Sequence, residues 1–192
     1  AEMFVQAGDL ASAQDCYRKA GKEKEATLAA AKHFESQQEW REAGIAFYNA
    51  GAFLHAGNCS AKANLMADAA KAFEQAGAHY RAALAYYQLR KFEDAIRCLQ
   101  RIRESDPDFN ASRALLGRVF FDMHDYAHCA ATLSNHLTGM RVETGNIEYF
   151  YMLALAYEQM GNLEQSRDLL LKIHSVNTVY RDVTTRLSNV SS

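Results

Sequence analysis

The chain has 192 residues, of which 49% are hydrophobic, and a formal charge of −2. That apolar content excludes a disordered chain, and the near-neutral charge argues against nucleic acid as principal partner, because phosphate binding rests on clustered Lys and Arg. A single Pro amid abundant Ala, Leu, Glu and Gln favours helix almost throughout and leaves little room for a sheet.

The N-terminal stretch sets Phe4, Leu10, Ala13, Tyr17 and Ala20 at helical spacing around a break at Gly8-Asp9. Residues 24–51 restate the pattern as a pair. Ala30, Ala31 and Phe34 lie on one helix, Gln37-Gln38 is the break, and Trp40, Ala43, Phe47 and Ala50 lie on the next. A looser copy follows, with Phe53, Ala56 and Gly57 before Asn64, then Met66, Ala69, Phe73 and Ala76. From Ala76 to Phe109 the unit is clearest. Ala82, Ala83 and Tyr86 share a face, Leu89-Arg90-Lys91 breaks it, and Phe92, Ala95, Leu99 and Ile102 share the next. The fifth copy carries Leu116, Gly117 and Phe120, then Tyr126, Cys129 and Leu133. After a longer break at 138–146, which reads first as a plain loop, with a β-hairpin or a binding loop as alternatives, the sixth carries Phe150, Leu153, Ala154, Tyr157, Ser166, Leu170 and Ile173. Val179, Val183, Leu187 and Val190 line one face of a closing helix.

Two short helices cannot bury their apolar stripes alone, so such units stack. The register of the stack is carried by small residues at Ala13, Ala43, Ala69, Ala95, Cys129 and Ser166, spaced 30, 26, 26, 34 and 37 apart. A larger side chain there would hold paired helix axes beyond the ~8–10 Å of close packing. The expected repeats run over about 1–21, 24–51, 52–77, 78–109, 110–143 and 147–177, with a cap over 179–190. The period changes near residue 77 without linker composition, so one domain is expected. The chain starts at Ala1 inside a helical pattern, which reads as a piece of a longer protein.

Leu116-Gly117-x-x-Phe120 with Cys129-x-x-x-Leu133, and Leu153-Ala154-x-x-Tyr157 with Ser166-x-x-x-Leu170, resemble the skeleton of the tetratricopeptide repeat. Gly161 and Pro107 also stand where that pattern has them. The first half is more compact and closes its repeats with Ala20-Gly21, Ala50-Gly51 and Ala76-Gly77, whose Gly suits the left-handed position after a helix. The resemblance implies an all-α, right-handed α-solenoid of antiparallel helix pairs, a tetratricopeptide-like superhelix with a C-terminal capping helix. It implies a non-catalytic scaffold that binds a protein or peptide segment in a concave face.

The residues that could carry chemistry are few. Cys16, Cys59, Cys98 and Cys129 are scattered through helical patterns and read as reduced, packed thiols of a cytoplasmic protein. His124, Asp125, His128 and Cys129 form the most metal-like group, yet His124 falls in a turn, Asp125 suits a helix cap and Cys129 points to the core. No glycine-rich phosphate loop, HExxH or apolar run of membrane length occurs, so no cofactor, metal or membrane insertion is expected.

The expected site is the concave row of first helices, counted from the core positions. It comprises Tyr80, Leu84, Tyr87 and Gln88, then Arg118, Phe121 and Asp122, then Tyr151, Leu155 and Glu158. Aromatic and apolar residues on a face that should be solvated mark an interaction surface. In the first half the matching face carries Lys32, Asn58 and Lys62, loosely resembling the carboxylate clamp of chaperone-binding repeats, but with Leu28 and Leu54 in the completing positions. Two alternatives stand beside this reading. One is a regulatory module whose groove packs on a sister domain of the same chain. The other is a metal or thiol enzyme centred on His124, His128 and Cys129.

Overall fold

The computed structural model describes residues 1–6 and 9–190, with side chains for all of these but Gln6 and Val190. Gly8 of the first expected break and the side chain of Val190 lie outside the described residues. The described chain holds thirteen helices and no strand. They fall into two compact units, Ala1–Arg101 and Ile102–Ser192.

The first unit contains α1 (Glu2–Gln6), α2 (Leu10–Lys19), α3 (Glu23–Ser36), α4 (Trp40–Asn49), α5 (Phe53–Lys62), α6 (Met66–Gln75), α7 (His79–Gln88) and α8 (Phe92–Leu99). Within this unit each pair of consecutive helices, from α1 with α2 to α7 with α8, packs together. Such nearest-neighbour packing is the repeat architecture the spacing predicts. Short turns make it possible, and nearly all of them use a left-handed residue. Gly21, Gly51 and Gly77 take φ of 70°, 75° and 70° between helix pairs, as expected. Inside the pairs the same backbone falls on Gln38, Asn64 and Arg90, at φ 61°, 59° and 57°. A side chain tolerates that conformation poorly, so the ~1–2 kcal/mol cost is carried by packing of the helices that flank the turn.

The second unit contains α9 (Phe109–Asp122), α10 (Tyr126–Leu137), α11 (Ile147–Gln159), α12 (Leu163–Val176) and α13 (Val183–Val190). Its core gathers Cys129, Leu133, Phe150, Leu153, Leu170, Ile173 and Val183, with Phe121, Leu155, Tyr180 and Leu187 packed partly exposed against it. Asp125 caps α10 by accepting a hydrogen bond from the His128 backbone N–H at 3.2 Å.

All six register residues, Ala13, Ala43, Ala69, Ala95, Cys129 and Ser166, are at 0% exposure. Glycines do similar work where helices approach most closely: a Cβ at Gly57 would lie 2.5 Å from the Phe73 ring, and one at Gly117 would land inside the Leu133 side chain. Two expectations shift. The second helix of the clearest unit ends at Leu99, so Ile102, though buried, lies beyond it. The closing helix starts at Val183, and Val179 is 84% exposed; Tyr180 packs on the core in its place.

Candidate partner-binding surface

In the first unit the expected site residues sit on α7. Tyr80, Leu84 and Tyr87 are half-buried and Gln88 is exposed. The Tyr87 ring lies 6.1 Å from that of Phe92, tilted by 41°. Helix α7 is tied to α5 by the Arg81 guanidinium, which donates to Asn58 Oδ1 at 3.0 Å. On α5, Leu54 remains 43% exposed. Two of the three residues resembling a carboxylate clamp are engaged elsewhere: Lys62 Nζ sits 4.0 Å over the Trp40 ring, and Asn58 is held by Arg81. Tyr86, a core residue as expected, donates its hydroxyl to Glu74 at 2.8 Å, and burial pushes its pKa up to about 12.

In the second unit Arg118, Phe121 and Asp122 are half-buried on α9, and Leu155 and Glu158 are half-buried on α11. Phe121 packs edge-on against Tyr126 at 5.6 Å. Arg118 pairs with Glu148 at 2.5 Å. Tyr151 differs from expectation. It is 5% exposed, because the chain's own C-terminal segment covers it. Its hydroxyl donates to Asp182, its ring packs against Tyr180 at 5.7 Å, and the Arg181 guanidinium lies 5.1 Å from its centre. Arg186 reaches Glu158 at 2.7 Å and Asp182 at 2.9 Å. Spacing along α11 carries no information about a segment some thirty residues later that folds back onto Tyr151.

The metal-like group is dispersed. His124 Nδ1 lies 2.8 Å from the Tyr126 hydroxyl, His128 Nδ1 lies 2.7 Å from Asp125, and His128 stacks on Phe120 at 5.2 Å. Cys129 is fully buried, and burial pushes its thiol up to about 12, which disfavours a free thiolate near neutral pH. No group of three or more metal-ligating side chains occurs among the described residues. No helix among them is long and apolar enough to cross a membrane.

The loop at 138–146 borders a cavity of about 670 Å³, floored by Leu137, Phe150, Leu153 and Leu169 and rimmed by Arg141, Asp168 and Lys172. Residues 76–109 and 147–174 each match the family profile of the tetratricopeptide repeat. Those two stretches are tetratricopeptide repeats, and the chain has a tetratricopeptide-like helical-repeat fold. Both matches are to repeats of a kind that serves as protein-interaction scaffold. No curated protein matches the sequence. Among solved structures, the fold is similar to YrrB, described as a tetratricopeptide repeat protein with an unusual peptide-binding site. The identity there is 16%, over 89% of this chain and 95% of that one, with a TM-score of 0.67. It is also similar to MamA, at 17% identity, 81% and 92% coverage and TM-score 0.63. PilW, a type IV pilus biogenesis factor, is similar at 14% identity, 100% and 94% coverage and TM-score 0.58. At these identities the likeness concerns the fold.

Proposed function

We propose that this chain is a non-catalytic recognition module that holds an extended or helical protein segment on the first-helix faces of its repeats, divided as given above. The observation that carries this is the row of large apolar side chains left partly uncovered in the first unit: Tyr80, Leu84 and Tyr87 on α7, beside Leu54 at 43% exposure on α5. Tyr and Leu on a rigid helical face make contact area at low ordering cost, which suits a preorganised binding surface. Gln88 borders that row with donor and acceptor groups. In the second unit Arg118, Phe121, Asp122 and Leu155 form the corresponding row. Tyr151 and Glu158 are set aside because the C-terminal segment holds them, which favours intramolecular cover on that part of α11.

The test is selection of binding peptides from a displayed library on the purified chain. Affinity of the selected peptide should fall by ~2 kcal/mol or more in Tyr80→Ala/Tyr87→Ala with helical content unchanged. Lys71→Ala, on α6, should leave it unaltered. Peptides that bind both variants equally refute the site.

A further inference from the structure

We propose that the second unit carries a second binding site, centred on Arg113, that takes a carboxylate group presented by a protein partner. This goes beyond the apolar rows and does not rest on them. A cavity of about 390 Å³ lies beside α9 and α10, lined by Asn110, Arg113, Thr132, Asn135 and His136 and also by Glu104. That volume lies within the range of small-ligand pockets and accommodates an acidic side chain with its own backbone.

Arg113 is the unusual member. It is half-buried, and its guanidinium lies 4.9 Å over the Phe109 ring, which fixes the plane of the fork. Arg118, Arg181 and Arg186 each meet a carboxylate within 4 Å; Arg113, like Arg103, Arg141 and Arg167, meets none among the described residues, and of these four it alone lines this cavity. Its Nε is buried and finds no acceptor there. That Nε is closed to solvent, so a ligand in the cavity would meet the terminal N–H groups of the fork, whose parallel donors match the two oxygens of a carboxylate. The surrounding amides of Asn110 and Asn135 and the hydroxyl of Thr132 add neutral donors to the same cavity.

The chemistry favours a singly charged oxyanion. His136 is held toward its neutral form, first by burial and then by the charge of Arg113, so Arg113 is the one full cation in the cavity near neutral pH. The Glu104 carboxylate in the same lining opposes a doubly charged phosphate more than a carboxylate. Tyr149 of α11 meets His136 edge-on at 6.3 Å and brings no charge. An anion seated on Arg113 offsets the repulsion felt by His136, so occupancy should raise the midpoint at which His136 protonates.

The imidazole resonance of His136, assigned by its loss in His136→Gln, reports this directly. Three probes are titrated into the purified chain: an end-capped peptide with one internal Glu, a peptide without acidic side chains but with a free C-terminus, and inorganic phosphate. The expected result is a saturable shift with a carboxylate peptide, an upward move of the His136 midpoint, and affinity about ten-fold lower or worse in Arg113→Gln. Response to the capped peptide identifies a side-chain carboxylate, and response to the other peptide alone identifies a chain terminus; either supports the site. Should Arg113→Gln lose helical content, Arg113→Lys keeps the charge without the fork and should still bind several-fold more weakly. No saturable shift with either peptide, equal affinity in the arginine variants, or response to phosphate alone would overturn the assignment.

Discussion

Gly57→Ala sets two effects against each other in a way the structure decides. In an exposed helix the change would stabilise by ~1 kcal/mol, because alanine is the better helix former. Here the new methyl would sit 2.5 Å from Cδ1 and 2.6 Å from Cε1 of Phe73, a ring at 5% exposure. Carbon atoms rest at about 3.5–4.0 Å, so the ring or the α5 backbone must move by about 1 Å. Overpacking of that kind costs ~1–3 kcal/mol. The net expectation is a loss of up to ~2 kcal/mol, a fall of up to about 10 °C in the thermal midpoint if the first unit unfolds as one body of about a hundred residues. Calorimetry of the variant measures this. Phe73→Leu, which removes the offending ring, should couple with Gly57→Ala by at least ~0.5 kcal/mol in a double-mutant cycle. A midpoint that rises in Gly57→Ala would mean that propensity outweighs the contact, and the close approach of α5 and α6 would be wrong.

Ala95→Leu, at a position of 0% exposure, should destabilise by ~1–3 kcal/mol in urea unfolding; an unchanged midpoint would disprove the register. Gln38→Gly should stabilise by ~0.5–1 kcal/mol, since the turn holds Gln38 at φ 61° and glycine meets no steric penalty there. The docked C-terminal segment should loosen in acid. The Asp182 carboxyl is held below its ordinary value of 3.8, chiefly by the Tyr151 hydrogen bond and then by Arg186. A depressed folded value means the contribution is complete above 3.8 and disappears as pH falls through the lower folded value. Amide exchange across 183–190 should therefore accelerate, relative to its intrinsic rate, below about pH 4, and Asp182→Asn should show that acceleration already at neutral pH.

How much of this was legible in sequence differs by scale. The register of small residues was readable because helix packing repeats locally, and Ala13 through Ser166 all landed at zero exposure. Left-handed Gln38, Arg90 and His124 were not, since no composition signal sets them apart from other polar turn residues. The end of α8 at Leu99 was missed because Ile102 continues the helical spacing while the chain has already left the helix. Tyr151 misled for a different reason: its cover is supplied by Tyr180, Arg181 and Asp182, far along the chain. Arg113 drew no notice, because a single Arg in a helix looks solvated. Phe109 four residues earlier was the available hint that its guanidinium would be pinned.

The distribution of thiols has a practical consequence. Cys59, Cys98 and Cys129 are at 1%, 0% and 0% exposure, and burial raises the pKa of each. Cys16 is partly exposed, so a maleimide dye used sparingly on the native chain should attach at that one place. Slow uptake of further label at the other three would then serve as a clock for transient opening of the three repeats that hold them, with no engineered handle required.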